Sequence, residues 1–427
     1  MELDETVATF HRVLSFVGVS IFSKENCFSK PWLTLQIFNV IIGILCFMFT
    51  TAFVAANCSN LPLLIQGACI WTTGVIMTIS LGVCLFFRVD FRNFLDEMVF
   101  VDRMLEMPLI KRVINVKSGG TSVLTTLKDI VVDSHQNLLK YTRIALKCYV
   151  ASVWLTATLY LCSPIVIMIW NGDGSQRLLA FDMLFPWSLK NLNVYIASFI
   201  FHSYCGYLCC IAYPGLQCTI ILLVGQLIRQ VRILTFILLN LNELALEISG
   251  KENHRWRMTC KAILSQCIDH YAMLKRFSNK LNYICRPFYL TLILVAIMLV
   301  CMCSVKISVS NKLSLDTMKY YIHEFCFILV VLMFCLLGQQ VENECAALEI
   351  GVTEKWYIFD NKHKRNVLLF NMAVSQRMPI YIFGTITLSL PTFSWVSKKF
   401  AWVSKKFAWV SKKFAWVSKK FAWVSRK

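Results

Sequence analysis

The sequence predicts an all-α protein, a seven-transmembrane helical bundle with a cytosolic N-terminus and an extracellular C-terminus. Three observations carry this expectation. Of 427 residues, 57% are hydrophobic and 16% charged, and the mean hydropathy is +0.60, a combination foreign to soluble domains. The apolar residues gather in seven runs, each of about 20, the length a helix needs to cross the hydrocarbon core. Lys and Arg are then shared unequally between the connections.

Residues 1–31 form the N-terminal segment. Glu2, Asp4 and Glu5 open it, which is unlike the basic, apolar and cleavable pattern of a signal peptide, so the first span is expected to do the targeting. The spans are read at 32–55, 63–87, 144–170, 194–221, 284–305, 320–338 and 379–396. Pro31, Pro62 and Pro379 stand at or just before the first turn, where a helix tolerates proline. The seventh run is the weakest, being short, polar in GTITLSLPTF and interrupted by Pro391. Residues 233–248 and 260–281 place apolar side chains three and four apart, which predicts amphipathic helix continuing below the membrane. Gly119 and Gly120 mark a turn within 116–122.

Basic flanks resist translocation, so the connections orient the bundle. The N-terminal segment and the second, fourth and sixth connections hold 26 Lys and Arg, and the first, third and fifth hold five. The N-terminus is therefore expected in the cytosol and, with an odd number of spans, the C-terminus outside. This is the reverse of a G-protein-coupled receptor. The sequon Asn57-Cys58-Ser59 falls in the first outside connection, close to the membrane. Nineteen cysteines lie mostly in apolar runs, where a thiol packs as a small hydrophobe, and no disulfide framework is predicted.

Catalytic signatures are absent: HExxH, GxSxG, GxxxxGK[ST] and GxGxxG do not occur, so no enzyme is expected. No cofactor, metal or nucleic acid is expected either; the partners are a lipid bilayer and small molecules. Cys205, Cys209 and Cys210 have metal-like spacing, but His202 is the only other ligand at hand and they read as packing thiols. Ionisable groups at membrane depth are expensive and point to function unless they reach the interface. His323 and Glu324 are such groups, beside Tyr320 and Tyr321 at the outer end of the sixth span. Trp71, Tyr160, Ser163, Tyr195, Phe199, His202 and Ser203 occupy the outer halves of other spans. Aromatic rings with a few hydroxyls and an imidazole suit a pocket for a small, mostly apolar molecule. Simple packing of aromatics is the competing reading.

From Phe393 the chain reads FSWVSKK, then FAWVSKK three times, then FAWVSRK, five units of seven filling 393–427. The last 30 residues carry ten basic side chains and no acid. Such a period can wind as an interfacial amphipathic helix; a tandem duplication without selected structure gives the same pattern.

The run at 338–396, beginning GQQVENEC and ending PTFSWV, resembles the C-terminal signature of the insect odorant receptor family. So do FDMLFPW at 181–187, GLQCTIILLVGQL at 215–227 and His270. The TYxxxxxQF-like motif of insect gustatory receptors is missing. The resemblance implies a subunit of an odorant-gated cation channel, a hetero-tetramer with the shared odorant co-receptor, in the plasma membrane of olfactory sensory neurons. It implies a small volatile odorant in the outer half of spans two, three, four and six, within 32–338, contacted by Trp71, Tyr160, Ser163, Tyr195, Phe199, His202, Tyr320, Tyr321 and Glu324. It further implies a cytosolic helical anchor over 339–378 that includes Trp356. The pore-lining span at 379–396 would present Thr385, Thr387, Leu388, Thr392 and Val396. The co-receptor's longer cytosolic loop is lacking, which resembles an odorant-tuning subunit. Two departures stand out: Gln217 replaces the family's usual Asp, and from 397 the lysine repeat replaces the apolar end of the last span. Paired lysines at a cation pore would repel the permeant ion and cost about 2.5–3.5 kcal/mol each at membrane depth. A metabotropic seven-helix receptor is opposed by the charge count. A transporter or membrane enzyme would want mid-bilayer ionic pairs and internal repeats.

Overall fold

The computed structural model describes residues 2–23, 29–116, 122–171, 178–249, 253–309, 315–354, 361–383 and 386–398. Six helices among them are long and apolar enough to cross a membrane. These are α2 (Lys30–Ala56), α3 (Leu61–Phe86), α7 (Val123–Asn171), α8 (Leu192–Leu239), α10 (Asn253–Val309) and α11 (Leu315–Thr353). Around them run α1 (Glu2–Ser15), the short helices α4 (Arg88–Leu95), α5 (Arg103–Glu106) and α6 (Pro108–Ile114), a π-turn at Asp96–Phe100, α9 (Leu241–Ser249) and α12 (Asn361–Val374).

Local sequence explains the helix starts. Pro31 sits in the first turn of α2, and Asn191 caps α8 by accepting from the Asn193 amide at 3.1 Å. Pro164, Pro214 and Pro287 lie inside α7, α8 and α10, a placement that membrane helices tolerate because neighbouring helices re-satisfy the freed backbone groups. Helices of 49, 48 and 57 residues reach about 70–85 Å at 1.5 Å per residue, against a hydrocarbon core of about 30 Å. Each therefore continues well past its span, as the amphipathic patterns at 233–248 and 260–281 predict.

The central helix is α8, which packs on α7, α11, α3 and α10. Its run from Tyr213 to Val231 is buried at every residue but Ile221, polar side chains included. Rows of exposed apolar side chains on the outer helices, among them Phe38, Leu155, Ile200, Leu294 and Phe325, belong against lipid rather than water. Helix α1 lies on α7, where Arg143 pairs with Glu2 at 3.0 Å and with Glu5.

The segment read as a seventh helical span differs. Two short strands, Tyr381–Phe383 and Ile386–Thr387, pair antiparallel with Tyr381 opposite Thr387. A short helix, α13, follows at 390–398. The β-branched residues Ile382, Ile386 and Thr387 favour strand over helix, and Pro391 fits only the first turn of a new helix. Gly338 on α11 admits this segment: a Cβ there would lie 2.0 Å from the Leu388 carbonyl oxygen. The glycine turn at 119–120, Trp356, Thr385 and the repeat beyond 398 lie outside the described residues.

Candidate functional site

A cavity of about 110 Å³ opens between α2, α3, α7, α8, α11 and the loop at 178–190. Its wall is a circuit of rings. Phe181 lies 6.0 Å from Tyr160, Tyr160 6.3 Å from His323, His323 5.3 Å from Phe327, Phe327 5.8 Å from Tyr213, and Tyr213 5.9 Å from Tyr149. Met77, Met183, Val153, Ala157 and the thiols of Cys46, Cys205, Cys209, Cys210 and Cys326 fill the gaps. Apolar, polarisable groups dominate, and the strong hydrogen-bonding atoms are few.

The loop at 178–190 covers the cavity. His202 Nδ1 accepts from the Phe181 amide at 3.3 Å, and the Leu184 amide donates to the Phe49 carbonyl at 3.1 Å. Phe185 stacks on Trp187 at 5.0 Å, whose indole N–H donates to Ser198 at 3.0 Å. Gly206 leaves room for the Phe181 ring, which lies 3.3 Å from where a Cβ would stand. The floor is polar at one point: Tyr149 donates to Gln217 Oε1 at 2.7 Å, so the residue that departs from the family pattern is buried beneath the cavity.

The residues singled out from sequence are dispersed around this site. Tyr160 and His323 line it. His202 supports it from behind Phe181. Tyr195 donates to the Leu178 carbonyl at 2.8 Å and lies 6.2 Å from Phe199, so this pair braces the foot of the covering loop, with the Ser203 hydroxyl bound to the Phe199 carbonyl. Trp71 turns toward α2, its N–H on Thr51 Oγ1 at 2.9 Å. Ser163 is half-buried on α7 away from the wall. Tyr320 is buried under the Lys306 ammonium at 5.7 Å, Tyr321 is exposed, and Glu324 accepts from Ser304 at 2.8 Å. Tyr320 and Glu324 thus join Lys306 and Ser304 of α10 in a separate polar group. The cavity also reaches deeper than the outer half of the bundle. Tyr149, Tyr213 and Phe327 line it from positions where ring placement alone carried no signal.

Of the residues read as pore-lining, Leu388 and Val396 are buried, Thr387 lends its carbonyl to Thr392 Oγ1 at 2.7 Å, and Thr392 also meets Ser389 at 3.1 Å. Asn57 of the sequon is half-buried, its Nδ2 donating to the Phe53 carbonyl at 2.9 Å. Among the described residues no group of His, Cys, Asp or Glu has the arrangement of a metal site.

A second polar cluster sits at the end of the bundle that carries the basic connections. Asp102 and Arg229, both buried, pair at 2.5 Å. Gln230 donates to Asp102 at 3.1 Å, Gln226 accepts from Arg229 at 2.8 Å, His270 meets Gln230 at 3.0 Å, and His135 lies 3.6 Å from Asp102. Burial pushes the His270 imidazole down to about 4, with Arg229 and Arg103 adding to the effect and Asp102 opposing it.

A multi-helix membrane bundle closing on an aromatic cavity is the architecture of a small-molecule receptor. The 7tm Odorant receptor family model matches residues 127–399, and the chain belongs to that family. Two solved structures share the fold at 10% identity. The insect olfactory receptor OR5 from Machilis hrabei in complex with eugenol superposes with a TM-score of 0.74, covering 96% of this chain and 98% of that one. A second structure of the same receptor gives 0.68, covering 91% and 90%. No curated protein sequence matches the chain. The protein is thus a multi-pass membrane receptor and not an enzyme.

Proposed function

We propose that the chain is the odorant-tuning subunit of a heteromeric cation channel, with an odorant co-receptor as its partner, in the plasma membrane of olfactory sensory neurons. The observation that carries this reading is the aromatic cavity under the 178–190 loop, in a chain of the odorant receptor family. A small volatile would exchange water for ring faces and thioethers there, which favours binding by burial with few directional demands. Eugenol, named with the structurally similar receptor, is a molecule of that kind. Gating requires the ligand to bind the open arrangement more tightly than the closed one, because equal affinity shifts nothing. The basic connections face the cytosol in this reading, and the polar cluster around Asp102 sits in the anchor beneath the spans. The Tyr320 and Glu324 group, with Trp71, Tyr195 and Phe199, then shapes access rather than the cavity wall.

The test is odorant-evoked current from cells expressing the chain with and without an odorant co-receptor. Current is expected only with the co-receptor. Replacing Ala157, which lines the cavity, by Phe should raise half-maximal odorant concentrations about tenfold or more, roughly 1.4 kcal/mol, at unchanged surface level. An A157F response identical to wild type would place the ligand elsewhere.

A further inference from the structure

Between Lys147 and Tyr160, helix α7 presents two different faces. One turns Val153, Thr156 and Ala157 to the aromatic cavity. The other forms, with Val13 of α1, a groove of about 550 Å³ that Val150, Ala151 and Leu155 line. Trp154 completes its wall, and its indole lies 4.5 Å from the Tyr207 ring of α8, which holds it in one direction. The groove opens to the lipid side of the bundle, where Leu155 is 64% and Trp154 44% exposed.

The groove has the length of one leaflet. From Lys147 to Thr158, the first and last residues of α7 that line it, the helix rises about 16 Å, against about 15 Å for half of the hydrocarbon core. Lys147 stands at the end where the apolar run begins, which is headgroup level on the cytosolic side in the orientation that the basic connections give. An ammonium at one end therefore gives way to aliphatic and aromatic groups along the rest, and no acid lines the groove. Lys147 is exposed and has no ion pair among the described residues. Glu2 and Glu5 of α1 are held instead by Arg143, one turn earlier on α7, with Glu2 at 3.0 Å. That pairing also fixes α1 against α7, so the groove is a standing feature of the fold. Arg12, exposed in the last turn of α1 beside Val13, adds a second cation at the same end.

We infer that the groove between α1 and α7 binds an anionic phospholipid of the inner leaflet, with its headgroup on Lys147 and one acyl chain along Val150, Ala151 and Leu155 against the Trp154 ring. An apolar face alone would take any lipid; the ammonium at headgroup level, without a carboxylate beside it in the groove, favours the lipid with net negative charge.

The experiment titrates phosphatidylserine or phosphatidylcholine of the same chains into the full chain in detergent and counts bound lipid by native mass spectrometry. Wild type should hold the serine lipid at a concentration at least fivefold below the choline lipid, about 1 kcal/mol. Lys147→Ala should cut that preference about fivefold, and Lys147→Arg should keep it. Ala151→Trp, which fills the groove, should weaken both lipids. Lys140→Ala, two turns away on the same helix, should leave the preference as in wild type. A wild type without preference, a preference undiminished in Lys147→Ala, or one lost equally in Lys140→Ala overturns the assignment. So does displacement of the bound lipid by an equal concentration of glycerophosphoserine, which would put an anion on Lys147 with no use of the groove. The outcome is separate from the cavity reading: Ala157→Phe, on the opposite face of α7, should leave lipid binding unchanged, and loss of the lipid there would move it into the cavity and overturn the groove.

Discussion

At the scale of single residues, His270 shows what burial does to a titratable group in this protein. It sits before the span at 284–305, on the part of α10 that extends past the bilayer, with Asp102, Arg229, Arg103 and His135 nearby. Its folded pKa is depressed to about 4 from 6.5, so the unfolded chain takes up the proton first. The contribution is complete above about 6.5 and is lost as pH falls from about 6.5 toward 4, amounting to about 3 kcal/mol at 1.4 kcal/mol per unit. The thermal midpoint of the detergent-solubilised protein should therefore drop between pH 7.5 and 5, and His270→Gln should flatten that drop. An H270Q variant with the wild-type pH slope would assign it to other groups. At the same scale, His323 stood out because an ionisable group at membrane depth is costly unless it is used, and Tyr160 because a ring with a hydroxyl in the outer half of a span suits a cavity wall. Trp71, Tyr320 and Tyr321 carried the same signal and face elsewhere. Spans that are apolar on every side have no polar face to fix their rotation, so composition places a ring at a depth but not in a direction.

At the scale of elements, the long helices were legible because their apolar length and their amphipathic continuations are properties of consecutive residues. The hairpin at 381–387 was not. Its run is apolar enough to read as a span, and only the β-branched residues and Pro391 argue against an unbroken helix. What holds this segment is tertiary: the Leu388 amide donates to the Ile380 carbonyl at 2.8 Å, and the Leu388 backbone lies against Gly338. Gly338→Ala should destabilise the protein by about 1–3 kcal/mol through overpacking, because the atom it meets at 2.0 Å is backbone. Gly225→Ala is the control. Its Cβ would meet Leu138 Cδ1 at 2.6 Å, a side-chain end that can turn aside, so its cost should be smaller. Thermal unfolding of the two variants in detergent decides the matter, and equal midpoints would contradict the close approach at 338.

At the scale of the whole molecule, charge distribution and helix length lead to one orientation. Helices α7, α8 and α10 outrun a bilayer by about 40–55 Å, and the projecting parts carry Arg229, against which Asp102 is paired, together with 11 of the 26 basic residues counted on that side. A buried ion pair with this many hydrogen bonds is tolerable in a helical anchor surrounded by protein and water. Sliding the bundle to bring that end into hydrocarbon would put Lys128, Lys140, Arg232, Lys275 and Lys280 at membrane depth, at about 2.5–3.5 kcal/mol each. The opposite end, with Asn57, Lys190 and the loop that covers the cavity, then faces outward. A protease-sensitive tag placed before Glu2 should be protected in intact cells, and one inserted after Lys190 should be cut. Cleavage of the N-terminal tag with the membrane intact would reverse the bundle, put the cavity's covering loop in the cytosol and remove the basis for reading it as the entrance for an external ligand.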